Sequence, residues 1–192
     1  MASGTRAVAE VLGLVILVFA LQVLSPLVGI GAEVFALSLP LAVRPWTIVT
    51  SVYAHGSYGH MFANAVALLV VGLFVARRTS RLRFHGFFLA AGAVSGIAAV
   101  GLAGVLGYTG TAVLGASGAI FALVGYLLAG NLATERLLGR IELSRRASAA
   151  VVALLALGLA LATGGGLVVL AGHATGFVIG LVTGRLHLLR AG

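Results

Sequence analysis

Long apolar stretches broken by short polar clusters dominate the chain. Six of them predict helices, at roughly 7–29, 57–76, 84–106, 117–133, 147–163 and 168–187. Their lengths approach the ~20 apolar residues that a helix needs to cross a bilayer. The breaks carry the charge. Arg77, Arg78, Arg81 and Arg83 separate the second and third stretches, and Glu135, Arg136, Arg140, Glu142, Arg145 and Arg146 separate the fourth and fifth. Arg6 precedes the first, and Arg185 and Arg190 end the last. Residues 30–56 form a long first loop with Pro40, Pro45 and Trp46. Its apolar runs, Val34–Leu37 and Ile48-Val49, predict a segment that lies in the membrane interface. Residues 107–116 are Gly-rich and lead into the fourth stretch, and Gly164, Gly165 and Gly166 make a turn before the sixth.

Composition turns these stretches into membrane spans. With 61% hydrophobic and 8% charged residues, a 192-residue chain lacks the polar surface of a water-soluble domain. The predicted fold is an all-α polytopic membrane protein, one domain over residues 1–192 built from six helices. The net charge of +8 comes from 12 arginines and 4 glutamates, with neither Lys nor Asp. The arginines sit between spans, which fits membrane orientation and not nucleic-acid binding. With the N-terminus in the cytoplasm, every arginine except Arg44 falls on the cytoplasmic side, so both termini are expected there. The first stretch ends without an A-x-A-like cleavage pattern and reads as a retained helix. Arginine-only basic usage with abundant Ala and Gly suggests a GC-rich microbial genome and a prokaryotic plasma membrane.

Small residues predict where helices touch. Gly172, Gly176, Gly180 and Gly184 recur every four residues on the last span and give it one smooth face. The fourth span begins with Gly115 and Gly118 and carries Ala119, Ala122 and Gly125. These two helices are the expected tight pair.

Polar side chains inside spans are costly and mark candidate chemistry. The second span has His55 and His60 near its outer end, then Asn64; the fourth starts with Ser117; the sixth carries His173 and Thr175. His85 and His187 lie near cytoplasmic ends, where interfacial snorkelling explains them. At 1.5 Å rise per residue, Asn64 and His173 stand ~18 Å above their helices' inner ends, and His60 and Ser117 ~24 Å. The four fall in one layer in the outer half of a ~30 Å core. A serine beside a histidine base attacks carbonyls, and Asn64, His60 and the first N–H groups of the fourth helix are candidate oxyanion donors. Taken singly, Ser117 also reads as a helix N-cap, and a lone membrane His as a partner for a nearby carbonyl. Four such groups at one depth favour catalysis.

Other chemistries are excluded. Without Asp there is neither an aspartyl protease nor a Ser-His-Asp triad, and no glutamate lies in the outer half beside His173. Any Ser-His device here is a dyad. The absence of Cys removes disulfides, thiolate metal sites and a Cys nucleophile. No H-E-x-x-H occurs, and His55, His60 and His173 lack a carboxylate or thiolate to complete a zinc site, so neither metal nor cofactor is expected. A transporter is disfavoured, since no buried acid lines a path and no inverted repeat is visible.

These residues resemble the rhomboid intramembrane serine proteases. Trp46 and Thr50 followed by His55-G-S-Y-G-His60-M-F-A-Asn64 are similar to that family's His-x4-His-x3-Asn second helix. Gly115-Ala116-Ser117-Gly118 looks like its G-x-S-G, and His173-x-x-Gly176-x-x-x-Gly180 like its sixth helix. The resemblance implies a six-helix rhomboid-like bundle with Ser117 as nucleophile and His173 as base. It implies an oxyanion hole from His60, Asn64 and the Ser117 amide, with Gly115 shaping the site. His55, Gly118, Gly176, Gly180 and Trp46 are implied as supporting residues. Substrates would be single-span membrane proteins cut near the extracytoplasmic face, and the lipid bilayer is the other partner. Two departures stand out. Trp46 is followed by Thr47 where the family often has Arg, with Arg44 preceding it instead. Phe121 stands four residues after the Ser, where the family often has a Tyr stacked on the catalytic His. The alternative reading is a proteolytically inactive homologue that binds membrane helices.

Overall fold

Apolar length sets the architecture. A computed structural model describes residues 3–130 and 166–190. It contains helices α1 (Ser3–Leu24), α2 (Tyr58–Ala76), α3 (Arg81–Val105), α4 (Ser117–Ala129) and α5 (Gly166–Arg185). The first, second, third and last are long and apolar enough to cross a membrane. They expose large hydrophobic side chains outward, among them Ile16, Leu17, Val70, Phe74, Val178 and Val182. In water that surface would be unstable; in lipid it is solvated. The chain is thus a helical membrane bundle, as the sequence predicts. The predicted fifth span at 147–163, the end of the fourth, the charged cluster at 135–146, and Gly164 and Gly165 lie outside the described residues.

α4 is the element that the others enclose. Its 13 residues rise only ~20 Å, short of a ~30 Å hydrocarbon core. It is buried from Gly118 to Leu123 and again at Gly125 and Tyr126. It packs most extensively on α5 through the predicted small faces. A Cβ added at Gly176 would collide with the Gly118 carbonyl oxygen, one at Gly180 with the Ala122 oxygen, and one at Gly125 with the Phe177 oxygen. Backbone therefore touches backbone, and the paired positions ascend together, so the helices run parallel.

α2 contains a π-helical turn, Leu68–Gly72. Its buried residues include Asn64, Leu68, Gly72 and Ala76, four apart. In a pure α-helix such a series drifts about 40° per step. The wider turn offsets the drift and holds all four on one face. Val8, Val11 and Val15 of α1 meet Phe84 and Phe88 of α3 and Leu123 of α4 in the main apolar core.

The first loop is a built element. Leu37–Ser38 (β1) pairs antiparallel with Ala112–Val113 (β2), in the register Leu37 to Val113 and Ser38 to Ala112. Trp46 Nε1 donates to the Val34 carbonyl at 3.0 Å, and Thr47, 1% exposed, donates to the Arg44 carbonyl at 2.6 Å. The Gly115 amide donates to Ser51 O at 2.8 Å. The loop thereby braces the approach to α4. Trp46 and Val49 remain exposed, consistent with an interfacial position.

Three expectations change, at the ends of α1 and in the Arg-rich cluster. α1 begins at Ser3, not at residue 7, and gives way to a 3-10 turn, Ser25–Val28, at Pro26. Arg81 and Arg83 belong to α3 and not to the preceding turn, because Ser80 caps that helix by accepting from the Arg83 amide. His85 does not merely snorkel. Its Nε2 lies 2.9 Å from Glu10, which also pairs with Arg81 at 2.7 Å and Arg6 at 3.2 Å. This cluster ties α1 to α3. Arg190 donates to the Gly130 carbonyl at the end of α4, and Arg83 to the carbonyl of Arg190.

Gly180→Val should force α4 and α5 apart and destabilise the bundle by about 1–3 kcal/mol. Gly101→Ala, where an added Cβ meets nothing within 4 Å, should hold or raise stability. Unfolding temperatures in detergent check this; equal values for the two variants would contradict the packed pair.

Candidate active site

Ser117 opens α4. It does not act as a cap: the N-cap is Ala116, which has no side-chain cap bond. The hydroxyl instead reaches α5, where Ser117 Oγ and His173 Nε2 are 2.8 Å apart. His173 is 4% exposed, and Ser117 is half-buried. The parallel contact accounts for the pairing. Gly176 lies against Gly118, one turn beyond His173 and one residue beyond Ser117. Backbone approach at that point carries the two side chains into reach.

The Phe121 ring lies on the His173 ring with centroids 4.5 Å apart and planes at 21°. It shares its small cluster with Leu170 and Phe177 of α5. The face of the imidazole is fixed by stacking. No described side chain partners His173 Nδ1. The pair is therefore a serine and a histidine without an acid among the described residues.

A second group of residues approaches from α2. Gly115 has φ +127°, a conformation that side-chain-bearing residues rarely adopt. A Cβ there would lie 2.8 Å from His60 Cε1 and 3.8 Å from Ser117 Oγ. The His60 ring and the Ser117 hydroxyl thus flank one α-carbon, and only glycine leaves the space between them open. His60 is set by Ser57, whose hydroxyl accepts its amide at 3.1 Å. Asn64 is buried and donates Nδ2 to the His60 carbonyl at 2.9 Å, engaging one of its two amide hydrogens. His55 is 1% exposed, and its ring meets that of His60 edge-on at 4.9 Å.

A cavity of about 60 Å³ adjoins the pair, lined by Ser51, Ser95, Gly115, Ser117, Gly118 and His173 among others. A water needs roughly 10–15 Å³ of such space, so the hollow has room for solvent. The first N–H groups of α4 have no intrahelical acceptor, since the helical ladder begins at Ile120 N to Ala116 O. Chemically, a hydroxyl beside a ring nitrogen, N–H groups without an intrahelical acceptor and a hollow lined in part by Ser51, Ser95 and His173 suit attack on a carbonyl. Among the described residues no three His, Cys, Asp or Glu side chains gather as a metal site would need.

A family model described as the Rhomboid domain matches residues 42–190. The chain belongs to the rhomboid family. A search of curated proteins returned no match. Within this rhomboid chain, the matched region includes every candidate from Trp46 to Gly180. Trp46 pins the first loop and does not line the cavity, and Gly180 serves the helix pair farther along.

Two residues near the rhomboid site escaped the sequence reading. Ser95 of α3 is 2% exposed and sits at the crossing of α3, α4 and α5, where Gly118, Gly172 and Gly176 close around it. Gln22 of α1 accepts the His55 amide at 3.1 Å. Each is a neutral polar residue within an apolar stretch of its helix, and that was their only signal.

If Ser117 donates to Nε2, the neutral His173 ring carries its proton on Nδ1. The ¹⁵N spectrum of histidine-labelled protein should show that tautomer, and Ser117→Ala should move the Nε2 resonance. A proton resident on Nε2 would contradict the arrangement.

Proposed function

We propose that this rhomboid-family chain is an intramembrane serine endopeptidase that cuts transmembrane segments. The observation that carries the reading is the 2.8 Å approach of Ser117 Oγ to His173 Nε2 beside a hollow. His173 Nε2 removes the hydroxyl proton as Oγ attacks the scissile carbonyl carbon. The carbonyl oxygen, now negative, is met by the Ser117 amide, His60 and Asn64. His173 then protonates the leaving amine, and the C–N bond breaks. Water from the hollow attacks the acyl-serine by the same base, which frees the new carboxyl group and restores Ser117. The Phe121 ring holds the imidazole where an acid would hold it in a triad.

The whole chain, residues 1–192, acts as one membrane domain with both termini in the cytoplasm, oriented by its arginines. The site then faces the extracytoplasmic side, in a microbial plasma membrane. Irregular backbone at membrane depth is tolerated where it lines a cavity, as Leu114 and Gly115 do at the site and residues 108–111 do at a separate hollow. A helical substrate hides its peptide bonds, so it unwinds before attack.

Reconstituted in liposomes with a single-span substrate, wild-type chain should yield two fragments on a gel. Ser117→Ala and His173→Ala should yield none while melting as wild type does. Asn64→Ala should slow turnover by about 10²–10³. Undiminished cleavage by Ser117→Ala would end the assignment. A wild-type chain that binds the substrate without cutting it would establish the inactive, helix-binding alternative.

A further inference from the structure

Gln22 lies near the end of α1, far in sequence from every residue of the site. Its Oε1 accepts the His55 backbone N–H at 3.1 Å. A donor faces it, so the amide oxygen and not the nitrogen points at the loop. The His55 ring is bound as well: Nδ1 lies 3.0 Å from the Tyr53 carbonyl. A carbonyl only accepts, so in the neutral ring the proton is on Nδ1. With both N–H groups engaged, residue 55 is fixed in place and in ring rotation. That ring abuts His60 at 4.9 Å and 69°, and His60 faces Gly115 and Ser117. Phe19 and Tyr58 also join α1 to α2, edge to face at 5.0 Å, but an apolar contact sets spacing and not the rotation of His55.

We infer that Gln22 is a positioning residue for the oxyanion side of the site, acting through His55 on the angle of the His60 ring. The kinetic part of this rests on the proposed role of His60; the geometric part does not. Removing the acceptor leaves the His55 amide without its partner and frees the segment before α2 to turn. The His60 ring then loses the fixed edge against which it is set.

Three variants of the full chain test this. Gln22→Met keeps length and apolar bulk but offers no acceptor. Gln22→Glu restores an acceptor oxygen at the same reach. Where the Met variant fails to fold, Gln22→Asn keeps the amide and withdraws its oxygen by one methylene. The first readout is the ¹⁵N-histidine spectrum, with His60 identified by its loss in His60→Ala. The His60 signals should shift or broaden in Gln22→Met and return in Gln22→Glu. Unchanged His60 signals in Gln22→Met overturn the inference. This holds whether or not the chain turns over substrate.

The second readout is kinetic. Gln22→Met should lower kcat about tenfold at unchanged KM, less than the ~10²–10³ expected on deleting an oxyanion donor. In a His60→Ala background it should cause no further loss, because both changes act at one point. Additive losses there would overturn action through His60. A wild-type chain without turnover refutes the protease reading alone, and the spectrum still decides the place of Gln22.

Discussion

Backbone contact between α4 and α5 is the constraint on which the site depends. Gly176 and Gly180 lie directly on the carbonyls of Gly118 and Ala122, and Gly125 on that of Phe177. In lipid no hydrophobic force draws two helices together, so dispersion over a close, smooth contact must do it. That contact also sets register. Because the helices are parallel and meet at Gly118 and Gly176, the residues just before the contact, Ser117 and His173, face each other at 2.8 Å. The same glycines that hold the bundle together thus set the geometry of the Ser117–His173 pair.

Around this pair the remaining elements act as braces. The first loop, clipped to residues 112–113 and to the Gly115 amide, holds the irregular entry to α4. The π turn keeps one face of α2 turned inward from Asn64 to Ala76. Glu10 with Arg81 and His85, and Arg190 with Gly130, tie the Arg-rich end. These ties are at least partly solvated, and each contributes little by itself.

Much of this was legible because helices obey simple rules. Rise per residue placed Ser117, His173, His60 and Asn64 in one layer, and the four-residue spacing of glycines identified the tight pair. What escaped the sequence has equally physical reasons. Two-residue strands such as Leu37–Ser38 have no alternation to read. Arg81 and Arg83 look like loop residues, yet a helix tolerates long charged side chains in its first turn once Ser80 caps it. Glu10 and His85 are 75 residues apart, and nothing local announces their meeting. Ser117 reads in sequence as a cap or a nucleophile; its hydroxyl turns from its own helix toward His173, which removes the cap.

The central claim is that His173 activates the Ser117 hydroxyl without an acid. Treatment of the purified chain with a fluorophosphonate probe, followed by peptide mass spectrometry, measures that activation directly. A phosphonyl group on Ser117 alone, lost when His173 is replaced by alanine, is the predicted result. An unlabelled Ser117 in folded protein, or labelling that persists without His173, would contradict it.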